Sequence, residues 1–110
     1  MPRLNMDGGP LEKCAPTTGF LRDGYCAPHA SDAAAHTVCA VVDSAFLDFT
    51  AARGNDLKTP SASFPGLVPG DHWCLCAARF MEAARQGKAP QLVRNATDAS
   101  FRGVSGDARR

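Results

Sequence analysis

Glycine and proline cut this chain into pieces too short for most folds. Gly8-Gly9-Pro10, Ala15-Pro16-Thr17-Thr18-Gly19, Arg22-Asp23-Gly24 and Ala27-Pro28 fill the first third with turn signals. Residues 1–35 therefore read as loop-rich, with one short extended piece at Phe20-Leu21-Arg22. A second interruption runs from Asn55 to Asp71. It holds Pro60, Pro65, Gly66, Pro69 and Gly70, which excludes a helix or a central strand. A connection that long is expected to be a functional loop or a packed Ω-type segment, anchored here by Phe64, Leu67 and Val68.

Regular structure is confined to what remains. His36-Thr37-Val38-Cys39-Ala40-Val41-Val42 is β-rich, of strand length and apolar on both faces. Asp43 or Ser44 then offers an N-cap for a helix over Ala45–Arg53, with Gly54 as a left-handed C′ residue. Trp73-Cys74-Leu75-Cys76-Ala77 reads as a second strand. A helix follows over about Ala78–Gln86, with Ala77, Phe80, Met81 and Ala84 on one apolar stripe. Gly87 ends it, and Gln91–Ala96 is a weaker third strand. The order strand, helix, long loop, strand, helix, strand predicts an α+β domain. We expect a small mixed sheet with two helices on one face and the N-terminal third wrapped over an edge or end. A small α/β arrangement with βαβ crossovers is the alternative. One domain spans residues 1–110, with a core over 36–97 and a frayed tail over 103–110.

The bulk numbers exclude several classes. The chain has 110 residues, 45% of them hydrophobic, and a formal net charge of +1. That apolar fraction and charge balance exclude disorder of the whole chain. Residues 73–110 carry seven basic and three acidic side chains, but no basic excess overall marks a nucleic-acid binder. No stretch reaches the roughly 18 apolar residues that span a bilayer. Met1–Gly9 shows no apolar leader region, so a cytoplasmic location is the expectation. Partners are then a small ligand or another protein rather than a membrane.

Five cysteines stand out in such a composition. In a reducing compartment they are expected to be free, metal-bound or catalytic rather than disulfide-paired. Cys39 reads as a buried strand hydrophobe. Cys14 and Cys26 lie in the turn-rich third, where some local fastening is needed. Cys74 and Cys76 are the sharpest pair. On a strand they share one face, yet their Cα atoms would be about 6.5–7 Å apart, at the edge of disulfide reach. They can serve as core residues, as joint ligands of a soft metal, or as reactive thiols.

The metal reading takes Cys14, Cys26, Cys74 and Cys76, with His36 or His72 as a substitute, and zinc as the cofactor. The spacing matches no standard zinc module. The thiol-enzyme reading takes Cys74, Cys76 and His72 as catalytic candidates, with Cys76 just before the second helix and near its positive end. A ligand site is a further candidate in the polar turns, where Arg22, Asp23, Arg53, Asp71 and His72 cluster at strand and helix ends. Arg22 or Arg53 can hold a carboxylate or phosphate. Asn55 and Asp56 are expected to cap the loop after the first helix.

Four blocks of residues carry a family resemblance. The first is Asn5 with Gly8–Glu12 and Cys14, then Thr18-Gly19-Phe20 with Arg22-Asp23-Gly24 and Cys26; the second is His36–Val41; the third is Arg53–Leu57 with Thr59-Pro60. Phe64–Leu67 with Pro69-Gly70-Asp71 and Trp73–Arg79 complete the pattern. Together they resemble the small bacterial family known as domain of unknown function 2237, from about Leu4 to Thr97. The segment between Cys14 and Thr18 is shorter than that pattern, and Asp98 stands where the pattern has a histidine. The resemblance implies no reaction. The reading is thus a binding or structural module with a Cys/His-containing polar site. A thiolate zinc protein and a small thiol-dependent or redox enzyme using Cys74 and Cys76 are its alternatives.

Overall fold

Strand β1 (Val38–Val41) is the centre of a three-stranded sheet, between β2 (His72–Leu75) and β3 (Gln91–Leu92). The computed structural model describes residues 3–62 and 64–101; the tail over 103–110 lies outside them. Both pairings are antiparallel, with Val38 opposite Leu75 and Val41 opposite His72 on one side and Ala40 opposite Leu92 on the other. The class is α+β, as expected. The sheet is antiparallel throughout rather than mixed, and no βαβ crossover occurs among the described residues.

Each strand is shorter than its β-rich run, for a local reason. The His36 backbone N–H donates to the Asp32 carboxylate at 2.8 Å, so β1 cannot start there. Cys76 caps the helix α2 (Ala77–Arg85), which ends β2 at Leu75. Val93 donates to the Cys39 carbonyl, and a 3₁₀ turn over Arg94–Ala96 then replaces the rest of the third strand.

Helix α1 (Ser44–Ala52) starts where Asp43 Oδ1 accepts from the Phe46 N–H at 2.7 Å. It ends at Arg53, with Gly54 at φ +96°, the left-handed C′ position. Phe46 and Leu47 of α1 and Phe80 and Ala83 of α2 join Val38, Ala40, Leu75 and Leu67 in one apolar cluster. Both helices therefore cover the same face of the sheet. Each fully buried Phe46, Val38 or Leu75 contributes about 1.5–3 kcal/mol by leaving water. The Asn55–Asp71 loop is anchored by buried Leu67 and half-buried Phe64, whose ring lies 5.3 Å from Trp73. Val68, expected as a third anchor, is exposed; its N–H is held by Asp71 at the surface instead. Among the described residues no helix is long and apolar enough to cross a membrane.

Candidate functional site: a sulfur-lined face and a Cys–His cleft

Strand alternation puts Cys39 and Cys74 on the sheet face opposite Val38, Ala40 and Leu75. They are register partners, and the N-terminal third lies over them. Cys14 is bonded to Cys39, with Cα atoms 5.7 Å apart, and Cys26 to Cys74, with Cα atoms 5.2 Å apart. All four cysteines are buried, with Ala96 and Val93 packed against them.

Polar groups seal the same layer. Thr18 Oγ1 accepts from the Cys74 N–H at 2.8 Å, and Thr97 Oγ1 accepts from the Cys39 N–H at 2.9 Å. These are strand N–H groups that would otherwise be buried without a partner. Gly19, at φ +94°, lets the loop come this close: a Cβ there would collide with the Tyr25 carbonyl.

This arrangement corrects the expectation of unpaired thiols. A solitary Cys-x-Cys gives no sign that Cys74 will face Cys39 across a ladder. That register presents two cysteines to a loop carrying two more. Cys39 is buried as expected, but as a bonded half-cystine. Cys74 and Cys76 do not act as a thiol pair.

Cys76 is the remaining cysteine and is unpaired. It caps the N-terminus of α2 with extended backbone, and its side chain makes no capping bond. It lines a cavity of about 40 Å³ together with His36, Asn55, Leu57, Trp73, Cys74 and Leu75. His36 also lines a larger hollow of about 240 Å³ with Gly19, Phe20 and Arg22. His36 thus borders both the small cavity that Cys76 lines and the larger hollow beside Arg22.

His36 is oriented from behind. Its Nδ1 lies 3.0 Å from Asp32 Oδ1. The Asp32 side chain is 2% exposed against 35% for His36. Burial pushes the Asp32 carboxyl up, but hydrogen bonds from the His36 backbone and ring and the attraction of the ring outweigh it, and the net shift is downward. A carboxylate only accepts, so Nδ1 is the ring nitrogen that donates to Asp32, which leaves Nε2 turned away from it.

Two backbone outliers border the cleft. Arg22 at φ 58° and Ala35 at φ 54° are the non-glycine residues with left-handed backbone among those described. Such conformations cost of order 1–3 kcal/mol each and gather at functional sites. The Ala35 carbonyl accepts from Ala77 N–H and Thr37 N–H, which fixes the turn that presents His36 beside the start of α2. Arg22 uses one guanidinium N–H on the Gly19 carbonyl and lies 5.1 Å from the Trp73 ring centroid.

The other sequence candidates fall elsewhere. Asp23 caps its own turn by accepting from the Tyr25 N–H, and lines a separate hollow with Arg3, Leu11, Tyr25 and Ala27. Arg53 sits 3.6 Å from Glu82 and over the Phe49 ring. Asp71 holds the Val68 N–H. His72 opens β2 at the end away from Cys76 and is exposed. Arg22, Arg53 and His72 share no cavity among the described residues. Asn55 and Asp56 take the capping roles expected of them, through Thr50 and through the Lys58 and Thr59 N–H groups. Asp32 is the site residue that sequence reasoning missed. Its signal was the spacing Asp32 to His36 across a turn rather than along a helix.

The fold and the site define a small α+β protein whose loop-rich third is cross-linked to one sheet face, beside a cysteine–histidine cleft. Residues 4–105 match the family described as an uncharacterized protein conserved in bacteria, domain of unknown function 2237, and the chain belongs to that family. No curated protein matches the sequence.

Proposed function

We propose that the protein is a thiol-dependent module whose reactive group is Cys76, with His36 as its base and Asp32 as the residue that positions His36. The observation that carries this reading is that Cys76 and His36 line one cavity while Asp32 holds Nδ1 of that histidine. The Cys76 proton passes to Nε2, and the thiolate displaces a leaving group from an electrophilic carbon or sulfur of the ligand; the leaving group departs with the electron pair of the broken bond and takes the proton from Nε2. A cavity of about 40 Å³ has room for little beyond water, so the body of the ligand occupies the larger hollow beside Phe20 and Arg22 and only its reacting end passes His36 to reach Cys76. Arg22 there suits a small ligand with a carboxylate or another anionic group.

The rate of alkylation of the native protein by iodoacetamide at neutral pH tests this reading. Cys76 is expected to react several-fold faster than glutathione. The rate falls toward that of glutathione in His36→Ala and falls partway in Asp32→Asn. A rate equal to glutathione and indifferent to both substitutions overturns the reading.

A further inference from the structure

The sulfur-lined face has a second use, independent of Cys76. The Sγ atoms of Cys14, Cys26 and Cys39 all lie within 4.8 Å of one another. Cys74 Sγ is bonded to that of Cys26, so four sulfurs form one nest. Two come from neighbouring strand positions and two from the loop above. Tetrahedral zinc with Zn–S bonds of about 2.3 Å needs sulfurs about 3.8 Å apart. The two bonded pairs must therefore open, Cys26 must close on Cys14 and Cys39 by at most about 1 Å, and Cys74 must swing in from its bond to Cys26.

The geometry points to a redox-gated zinc site: the four sulfurs are two disulfides when oxidised, and a Cys14, Cys26, Cys39 and Cys74 tetrathiolate zinc centre when reduced. Each disulfide gains two electrons and two protons from a dithiol or phosphine reductant, which is itself oxidised. Zinc then displaces four thiol protons to water. The ligand set differs from the one expected from spacing: Cys39 takes the place given to Cys76 or His36. In either state the N-terminal third stays fastened to the sheet, by covalent bonds or by the metal.

The protein is reduced with a phosphine under inert gas, supplied with zinc, and freed of excess metal. Elemental analysis is expected to find one zinc per chain, in the wild type and equally in Cys76→Ser and His36→Ala. Those two variants separate this proposal from the thiol chemistry above. Cobalt in place of zinc is expected to give the strong thiolate charge-transfer and visible bands of a tetrahedral sulfur site. Both signals are lost in a Cys14→Ser, Cys39→Ser double variant. If the metal-free reduced chain loses its fold, zinc restores the circular dichroism spectrum. A reduced chain that exposes five titratable thiols yet takes up no zinc and shows no cobalt–thiolate bands overturns the proposal. So does zinc binding that survives the double variant but is lost in Cys76→Ser.

Discussion

Cys39 and Cys74 stand directly opposite each other across the β1–β2 ladder, and each is bonded to a different cysteine of the N-terminal third. One cross-strand relationship therefore anchors both covalent links that hold about a third of the chain. Among the described residues that third contributes no regular strand or helix and few large buried side chains, so its order depends on this attachment together with the backbone bonds of Leu4, Met6 and Glu12 to Ala99, Thr97 and Asn95.

Removing the cross-links has a calculable effect. Their sequence separations are 25 for Cys14–Cys39 and 48 for Cys26–Cys74. Loop-closure entropy makes these worth about 3.5 and about 4 kcal/mol. A domain of this size has about 5–15 kcal/mol in all. Paired Cys→Ala substitution at either bridge is expected to lower the urea midpoint sharply, and metal-free reduction of both to leave little or no stable fold.

The Arg3–Asp98 pair ties the start of the chain to its last described turn. Asp98 is fully buried, and its carboxylate accepts from Arg3 Nε at 2.6 Å, Arg3 NH2 at 3.0 Å and the Ser100 N–H at 2.9 Å. Asp98→Ala is expected to cost about 1–3 kcal/mol, since it orphans the Ser100 donor and leaves Arg3, half exposed, to water. Denaturant unfolding of the variant checks the figure.

Acid should weaken the fold through two aspartates. Burial pushes both the Asp98 and Asp32 carboxyls up, but hydrogen bonds and partner charges outweigh it, and both end below the ordinary carboxylate value. Their folded forms bind fewer protons than the unfolded chain. The stability they contribute is therefore fully present above about pH 4 and lost as pH falls through their lower folded values. Stability followed from pH 6 to pH 2 is expected to fall steeply only below about pH 4, and less steeply in Asp98→Asn.

Ala35 holds left-handed backbone at φ 54° immediately before His36. Ala35→Val is expected to cost about 1–2 kcal/mol, because a branched side chain crowds that conformation. Ala35→Gly is expected to be neutral or slightly stabilising. Thermal midpoints separate the two by several degrees.

The strand–helix order, the Asp43 cap, Gly54 as terminator and the apolar stripe of α2 were legible in the sequence, because each is a local pattern. Sheet polarity and the pairing of cysteines were not. Cys39 looked like an inert strand residue and Cys74 like a partner of Cys76; only the antiparallel register sets Cys39 against Cys74. His36 read as a strand residue or a spare metal ligand. Its role depends on Asp32 capturing its backbone N–H and ring together, which delays the start of β1 to Val38. Arg22, Arg53 and His72 looked equivalent as loop residues, yet the fold sends them to three places.

One measurement bears most directly on the whole account. The native protein is alkylated without reductant, digested, and mapped by mass spectrometry. Label is expected on Cys76 alone, with linked peptides joining Cys14 to Cys39 and Cys26 to Cys74. Label on any of those four cysteines, a different pairing, or an unlabelled Cys76 would contradict it.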